Sequence, residues 1–353
     1  MKLYLRHKPA VKPIFFMFKG VIFIAIRYTF KKTGVGVVDN LGAQFQKIIR
    51  GARQGSRDTK YRYIGASERF IRFVAVKFKL QKLQNIQEKH LRAFAKDMKQ
   101  RGCADKYIKT DLAAIRYLHR QVPQARFELL DGRVANKNYG LGSTPDGRAE
   151  RAWSERELKD MKDLAIQNNN PNIALALETA RATGMRLDEF SSLRRAEVEA
   201  ALRTGVLHLT NTKGGRPRDI PLSPRAVDTF SVALKLSSRG SYVFTPPGVR
   251  VHKFEDAVKN FIWRHRVLLQ DSNRRRTAQN LKPGEIAALA VHGLRHTFAR
   301  EFLIEKFKEK LEDGLDRARA EKEARHATSK VMGHNRVSVT LIYVPEGLLG
   351  NIN

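Results

Sequence analysis

The sequence predicts a mainly α fold with a small antiparallel β-sheet (α+β), arranged as two domains. Three observations predict it. Apolar residues recur at helical spacing from residue 58 onward, and a stretch rich in Gly, Pro, Asn and Asp interrupts that pattern at 122–150. Two short strand patterns also flank the paired glycines Gly214 and Gly215. A chain of 353 residues with 42% hydrophobic content is long enough to bury one core in each domain.

Residues 1–56 are basic and weakly periodic, and end in the connecting sequence RGARQGSR. They read as an N-terminal extension to which pattern assigns no function. Residues 14–26 (IFFMFKGVIFIAI) are apolar but interrupted by Lys19 and Gly20. The run falls short of the about 20 residues of a membrane span. A signal-peptide reading needs a small-residue cleavage site, and RYTFKKTG follows instead. A buried strand or helix, or sequence read from a start codon placed too far upstream, accounts for the run as well.

Residues 57–125 read as a small helical domain. Tyr61, Ile64, Phe70, Phe73 and Val74 form one stripe; Leu91, Phe94, Ala95 and Met98 form a second; Ile108, Leu112, Ile115 and Leu118 form a third, with Gly102 as the break between these last two. Lys and Arg fall on the outer faces, which suits phosphates, although for any single lysine a solvated face is the simpler account. Residues 126–150 read as the linker and 151–353 as the second domain.

The second domain opens on a helix with Ser154 as N-cap and Glu157 as its capping-box partner. An apolar helix spans 172–182. Strands at 205–210 and 219–222 are joined through Thr212-Lys213-Gly214-Gly215-Arg216-Pro217. Helices follow at 254–266, 285–290, 295–309 and 327–332. The densely alternating charges of 305–325 predict a solvated helical excursion.

Composition narrows the function. With 67 Lys+Arg against 35 Asp+Glu the net charge is +32, spread along nearly the whole chain, so a polyanionic partner is expected. Double-stranded DNA is the first candidate and anionic membrane the second. Cys103 is the single cysteine, which excludes an intramolecular disulfide framework and a CxxC metal site and fits a reducing cytoplasm. No cofactor and no metal is expected.

Four segments carry residues suited to attack on a phosphodiester: Thr183-Gly184-Met185-Arg186-Leu187-Asp188-Glu189; the hairpin with Lys213; His292-Gly293-Leu294-Arg295-His296; and Gly333-His334 followed by Thr340-Leu341-Ile342-Tyr343. Negative charge grows on the non-bridging oxygens of the five-coordinate phosphorus, and planar guanidinium forks match that geometry where a lysine would not. Arg186 and Arg295 are the candidate forks. A tyrosine hydroxyl, with a pKa of about 10, is a weak nucleophile unless cations lie nearby. Glu189 stands three residues after Arg186 on one helical face and is expected to orient catalytic groups rather than react.

In order and spacing, TGxRxxE, the Lys213-Gly214 hairpin leading into Ile220-Pro221-Leu222, HxLRH, and GH followed by TxxY resemble the catalytic signature of the tyrosine recombinase (phage integrase) family, which includes lambda integrase, Cre and XerD. The resemblance covers about residues 153–344. It implies a helical SAM-like core-binding domain plus a catalytic domain, together gripping DNA. It also implies that Tyr343 forms a 3′-phosphotyrosyl link that stores the bond energy for rejoining. Lys213 then resembles the general acid, His292 its acid/base partner and His334 a donor to the phosphate. The partners implied are double-stranded DNA and further copies of the chain, as a tetramer on paired sites, with accessory DNA-bending proteins.

His292 and His296 have the spacing of a zinc-binding HxxxH pair, but Gly293 stands where a metalloprotease carries Glu, so His296 is expected to be structural or a secondary phosphate contact. Gly215-Arg216-Pro217-Arg218 resembles an AT-hook core, and its place between two strands makes a turn the better account. A type IB topoisomerase-like nicking-closing enzyme shares the chemistry, and a catalytically decayed DNA-binding protein is a third reading. The inserted charged stretch at 307–325 and the short tail after Tyr343 depart from the family pattern.

Overall fold

Val38, Leu41 and Phe45 follow one another at helical spacing and are all buried, which makes residues 36–51 part of a core. The computed structural model describes residues 13–18, 21–26, 28–51, 57–142, 151–212, 216–238, 240–271, 288–334, 337–344 and 349–350. The chain divides into two units, 1–145 and 146–353.

In the first unit, strands β1 (Pro13–Phe18) and β2 (Val21–Ile26) pair antiparallel, Pro13 opposite Ile26. The apolar run is therefore a hairpin, and no described helix is long and apolar enough to cross a membrane. Helices α1 (Gly36–Gly51), α2 (Arg57–Phe78), α3 (Glu88–Gln100) and α4 (Asp105–Arg120) share one core through Phe45, Phe70, Phe94 and Leu112. Asp111 is fully buried and accepts a two-pronged hydrogen bond from Arg69 at 2.7–3.1 Å, which joins α4 to α2. Residues 126–142, expected to connect the domains, instead pack on this unit. Helix α5 (Gly132–Asn138), capped by Asp131, buries Ala135, and the Tyr139 hydroxyl donates to Glu88.

In the second unit, helix α6 (Glu155–Gln167) has the expected capping box: Ser154 accepts from the Glu157 amide at 3.1 Å and Glu157 accepts from the Ser154 amide at 2.9 Å. Then follow α7 (Pro171–Thr183), α8 (Leu187–Ser191) and α9 (Arg195–Thr204). Strands β3 (Val206–Leu209) and β4 (Arg218–Pro221) pair antiparallel, with Leu207 and Ile220 inward. Helices α10 (Pro224–Leu236), α11 (Val251–Leu269), α12 (Val291–Glu312), α13 (Arg317–Val331) and the single turn α14 (Thr340–Tyr343) complete it.

Three expectations are corrected here. Residues 288–290 are not helical; Ala290 is extended and caps α12, while 285–287 lie outside the described residues. The helix expected at 327–332 is the end of the longer α13. The charged excursion is only half solvated, because Phe307, Ala320 and Ala324 are fully buried and carry the α12–α13 hairpin into the core.

If α1 belongs to the first core, Phe45→Ala leaves a cavity beside Tyr28, whose ring lies 5.3 Å away. The expected loss is about 3–5 kcal/mol in a urea melt followed by circular dichroism; an unchanged midpoint would remove α1 from that core.

Candidate active site

Helix α7 ends where Gly184 turns left-handed at φ +62° and its amide donates to the Ala180 carbonyl. Only glycine suits this position, since a Cβ would also lie 2.2 Å from the Phe298 ring. The turn sets Arg186 as N-cap of α8. Arg186 donates to Glu189 twice, from its amide at 2.7 Å and from Nη1 at 2.8 Å.

Glu189, 3% exposed, also receives a fork from Arg218, at 2.8 Å from Nη1 and 2.5 Å from Nη2. Burial by itself raises a carboxyl's pKa, but hydrogen bonds and charge from Arg218 and then Arg186 outweigh it and hold Glu189 down to about 2. Arg218 is the residue sequence reasoning missed. The glycines and proline before it suggest the end of a turn, yet it stands two positions before the inward Ile220 on β4, so strand alternation aims it into the core.

Arg295 comes from the first turns of α12. That helix is fixed to residue 153: the Trp153 indole donates to the Ala290 carbonyl at 2.9 Å and the Trp153 amide to Thr297 at 2.9 Å. Gly293 makes this contact possible, since a Cβ there would sit 2.2 Å from the Arg151 carbonyl. Arg295 is 1% exposed and its guanidinium donates to the carbonyls of Gly184 and Met332, tying α12 to the Thr183–Glu189 segment and to the residue just before Gly333. Burial, then the charge of Arg186, lowers its pKa to about 10, so it remains a cation at neutral pH.

Gly333 ends α13 with φ +67°, and a Cβ there would meet Arg218 at 3.1 Å. The turn presents His334, whose Nε2 lies 3.2 Å from the Tyr343 hydroxyl. Burial, then the charges of Arg295, Arg186 and Arg218, pushes His334 down to about 4, so the ring is neutral at pH 7.

Tyr343, 5% exposed, ends α14, and Arg300 donates to its carbonyl at 3.0 Å. Its ring lies 4.6 Å from that of His296, 5.4 Å from His334 and 5.9 Å from His292, and 5.8 Å from the Arg295 guanidinium carbon. His296 is 2% exposed with neither ring nitrogen hydrogen-bonded, and burial, then His292, lowers its pKa to about 3. It is a neutral wall behind the tyrosine. Arg186, Glu189, His292, Arg295, His296, His334 and Tyr343 thus occupy one region. Lys213 lies outside the described residues; beside it, Thr212 donates to the Arg216 carbonyl across the hairpin.

Two domain models of one family match this chain: "Phage integrase family" over residues 154–310 and "Phage integrase, N-terminal SAM-like domain" over 43–123, together about two thirds of it. The chain belongs to the phage integrase family. Similar curated proteins are tyrosine recombinases XerC. That of Bacillus licheniformis is 25% identical over 329 residues, covering 87% of this chain and 91% of its own. That of Bacillus pumilus is 25% identical over 296 residues, covering 80% and 83%. Among solved structures, the Tn1549 transposon integrase bound to transposon right-end DNA superposes with a TM-score of 0.53 at 14% identity, covering 86% of this chain and 94% of that one. A lambda integrase dimer on a COC′ core site gives 0.54 at 16% identity, covering 85% and 94%. Both likenesses are of fold. In this integrase-family chain, Arg295 joins the Thr183–Glu189 motif to the residue that precedes Gly333-His334.

Because the pKa of Glu189 is depressed in the folded state, its stabilisation is present above the ordinary carboxylate range and fades as pH falls from about 4.5 toward 2. Glu189→Gln leaves Arg218 buried without its counter-charge. Urea melts at pH 7 are expected to read a loss of about 3–5 kcal/mol that shrinks as the pH is lowered through that window. A variant as stable as wild type at pH 7 would contradict the clamp.

Proposed function

We propose that the chain is a site-specific DNA recombinase that breaks and rejoins strands through a covalent bond to Tyr343. The observation that carries this reading is the Tyr343 hydroxyl set 3.2 Å from the neutral His334 beside the buried cation Arg295. The Tyr343 oxygen attacks the scissile phosphorus, its proton passes toward His334, and the bond to the 5′-oxygen breaks. Arg186 and Arg295 hold the non-bridging oxygens as their charge grows. Lys213, with His292, protonates the leaving 5′-hydroxyl; rejoining reverses each step, so no external energy source enters.

The local field supports one refinement. Arg295, Arg186 and Arg218 help to keep His334 near 4. An anionic phosphate between the arginines offsets their charge and raises the histidine's basicity, so His334 becomes a better proton acceptor when substrate is present.

Similarity to a transposon integrase supports a role in integration and excision of a mobile element. Similarity in fold to a lambda integrase tetramer on a Holliday junction supports assembly as a tetramer on paired DNA sites. Accessory DNA-bending proteins and action at the cell's DNA, in the cytoplasm, belong to the same reading.

Tyr343→Phe is expected to abolish the covalent adduct on a nicked suicide substrate, read on a denaturing gel, while gel-shift binding survives; an adduct formed by the variant removes Tyr343 from the role. Lys213→Ala is expected to slow cleavage on the order of 100-fold or more and to recover on a substrate whose 5′-bridging oxygen is replaced by sulfur, a leaving group that needs no acid. Unrescued loss would assign the proton elsewhere. Binding affinity is expected to fall steeply and linearly on logarithmic axes as salt rises, because phosphate contacts release counterions. A flat salt profile from titrations would contradict a broad cationic interface.

A further inference from the structure

A cavity of about 380 Å³ opens directly beside the candidate active site. Met185, Ile262 and Leu289 give it an apolar floor, Trp263 one wall, and Arg186 and His292 the side it shares with the catalytic residues. Lys259 and Arg266 also border it. On α11, Lys259, Ile262, Trp263 and Arg266 stand at i, i+3, i+4 and i+7, which puts them on one face. The floor is buried, with Ile262 2% exposed, yet Trp263 is 64% exposed. Its indole face is therefore open to a flat partner.

We infer that this pocket holds one unstacked nucleobase of the bound DNA, adjacent to the phosphate that Tyr343 attacks. The inference rests on the recombinase reading and deepens it. An apolar slot with an exposed indole takes the face of a base, while the lysine and arginines at the rim take the phosphates on either side of it. Among the described residues no carboxylate borders the cavity; Glu255 and Asp256 lie back along α11, 3.7 and 4.0 Å from the Lys259 amine. The volume falls within the about 300–1,000 Å³ usual for small-ligand pockets. Position favours DNA over a free metabolite, because Arg186 and His292 border this cavity and also belong to the proposed catalytic cluster, which puts a base seated here within about one nucleotide of the scissile phosphate.

The chain has two tryptophans, and Trp153 is 2% exposed, so Trp263 is the residue whose emission reports on solvent. Adding a nicked duplex that carries the crossover site is expected to quench and blue-shift that emission in the full-length protein, including Tyr343→Phe, where no cleavage occurs. Tryptophan emission unchanged by saturating DNA would overturn the inference even if adducts form. Adduct rates give a second reading. Trp263→Ala is expected to slow adduct formation roughly tenfold, with Trp263→Phe retaining most of the rate. An abasic nucleotide at one position within two nucleotides of the scissile phosphate should slow wild type to the Trp263→Ala rate without slowing that variant further. Additive effects at every position, or a change in sedimentation of Trp263→Ala without DNA, would overturn the inference, the latter by assigning the face to a second copy of the chain. If the wild type formed no adduct on any substrate while DNA still quenched Trp263, the recombinase reading would fail and the base pocket would stand.

Discussion

The catalytic unit is organised around one buried carboxylate. Arg186, Arg218 and Arg295 approach a common region, and like charges in a low-dielectric interior repel by several kcal/mol at close range. Glu189 makes the arrangement tolerable. It binds Arg218 through a fork and Arg186 through side chain and amide, and so fixes the strand β4 and the turn before α8 with the same two oxygens. Arg295 is held differently, by two backbone carbonyls that partly neutralise it without a second full negative charge. A net positive charge is left over in this region.

That surplus explains the state of the imidazoles. His334 and His296 are both depressed well below the ordinary histidine value, burial contributing most and neighbouring cations the rest. A neutral His334 can accept a hydrogen bond from the Tyr343 hydroxyl, which a charged ring could not. A neutral His296 can lie against the tyrosine ring as an almost apolar surface, so Tyr343 is positioned by packing on one side and hydrogen bonding on the other.

Much of this was legible in the sequence, and the remainder was hidden for identifiable reasons. The segments holding Arg186, Arg295, His334 and Tyr343 were readable because their spacing is local and their residue types are chemically specific. The Ser154–Glu157 capping box was readable because it is a contact between near neighbours. Arg218 was obscured by the glycines and proline before it, which read as a turn; the alternation of Arg218 with Ile220 was the available signal. Helix α1 was lost because its basic, glycine-containing flanks masked the Val38, Leu41, Phe45 stripe. Helix α10 carried a start signal in Ser223 followed by Pro224, and the Ser223 hydroxyl does accept from the Ala226 amide at 3.3 Å. The burial of Phe307 and Ala324 could not be read from charge density alone, since a helix hairpin can be polar on its outside and packed on its inside.

The left-handed turn at Gly184 has a further consequence. Its conformation launches the chain toward Arg186, its carbonyl anchors Arg295, and its bare α-carbon admits the Phe298 ring. One backbone unit therefore sets the separation of two arginines supplied by distant parts of the chain. A shift at either arginine is therefore felt at the other through this turn, so substitutions of the two are expected to be non-additive.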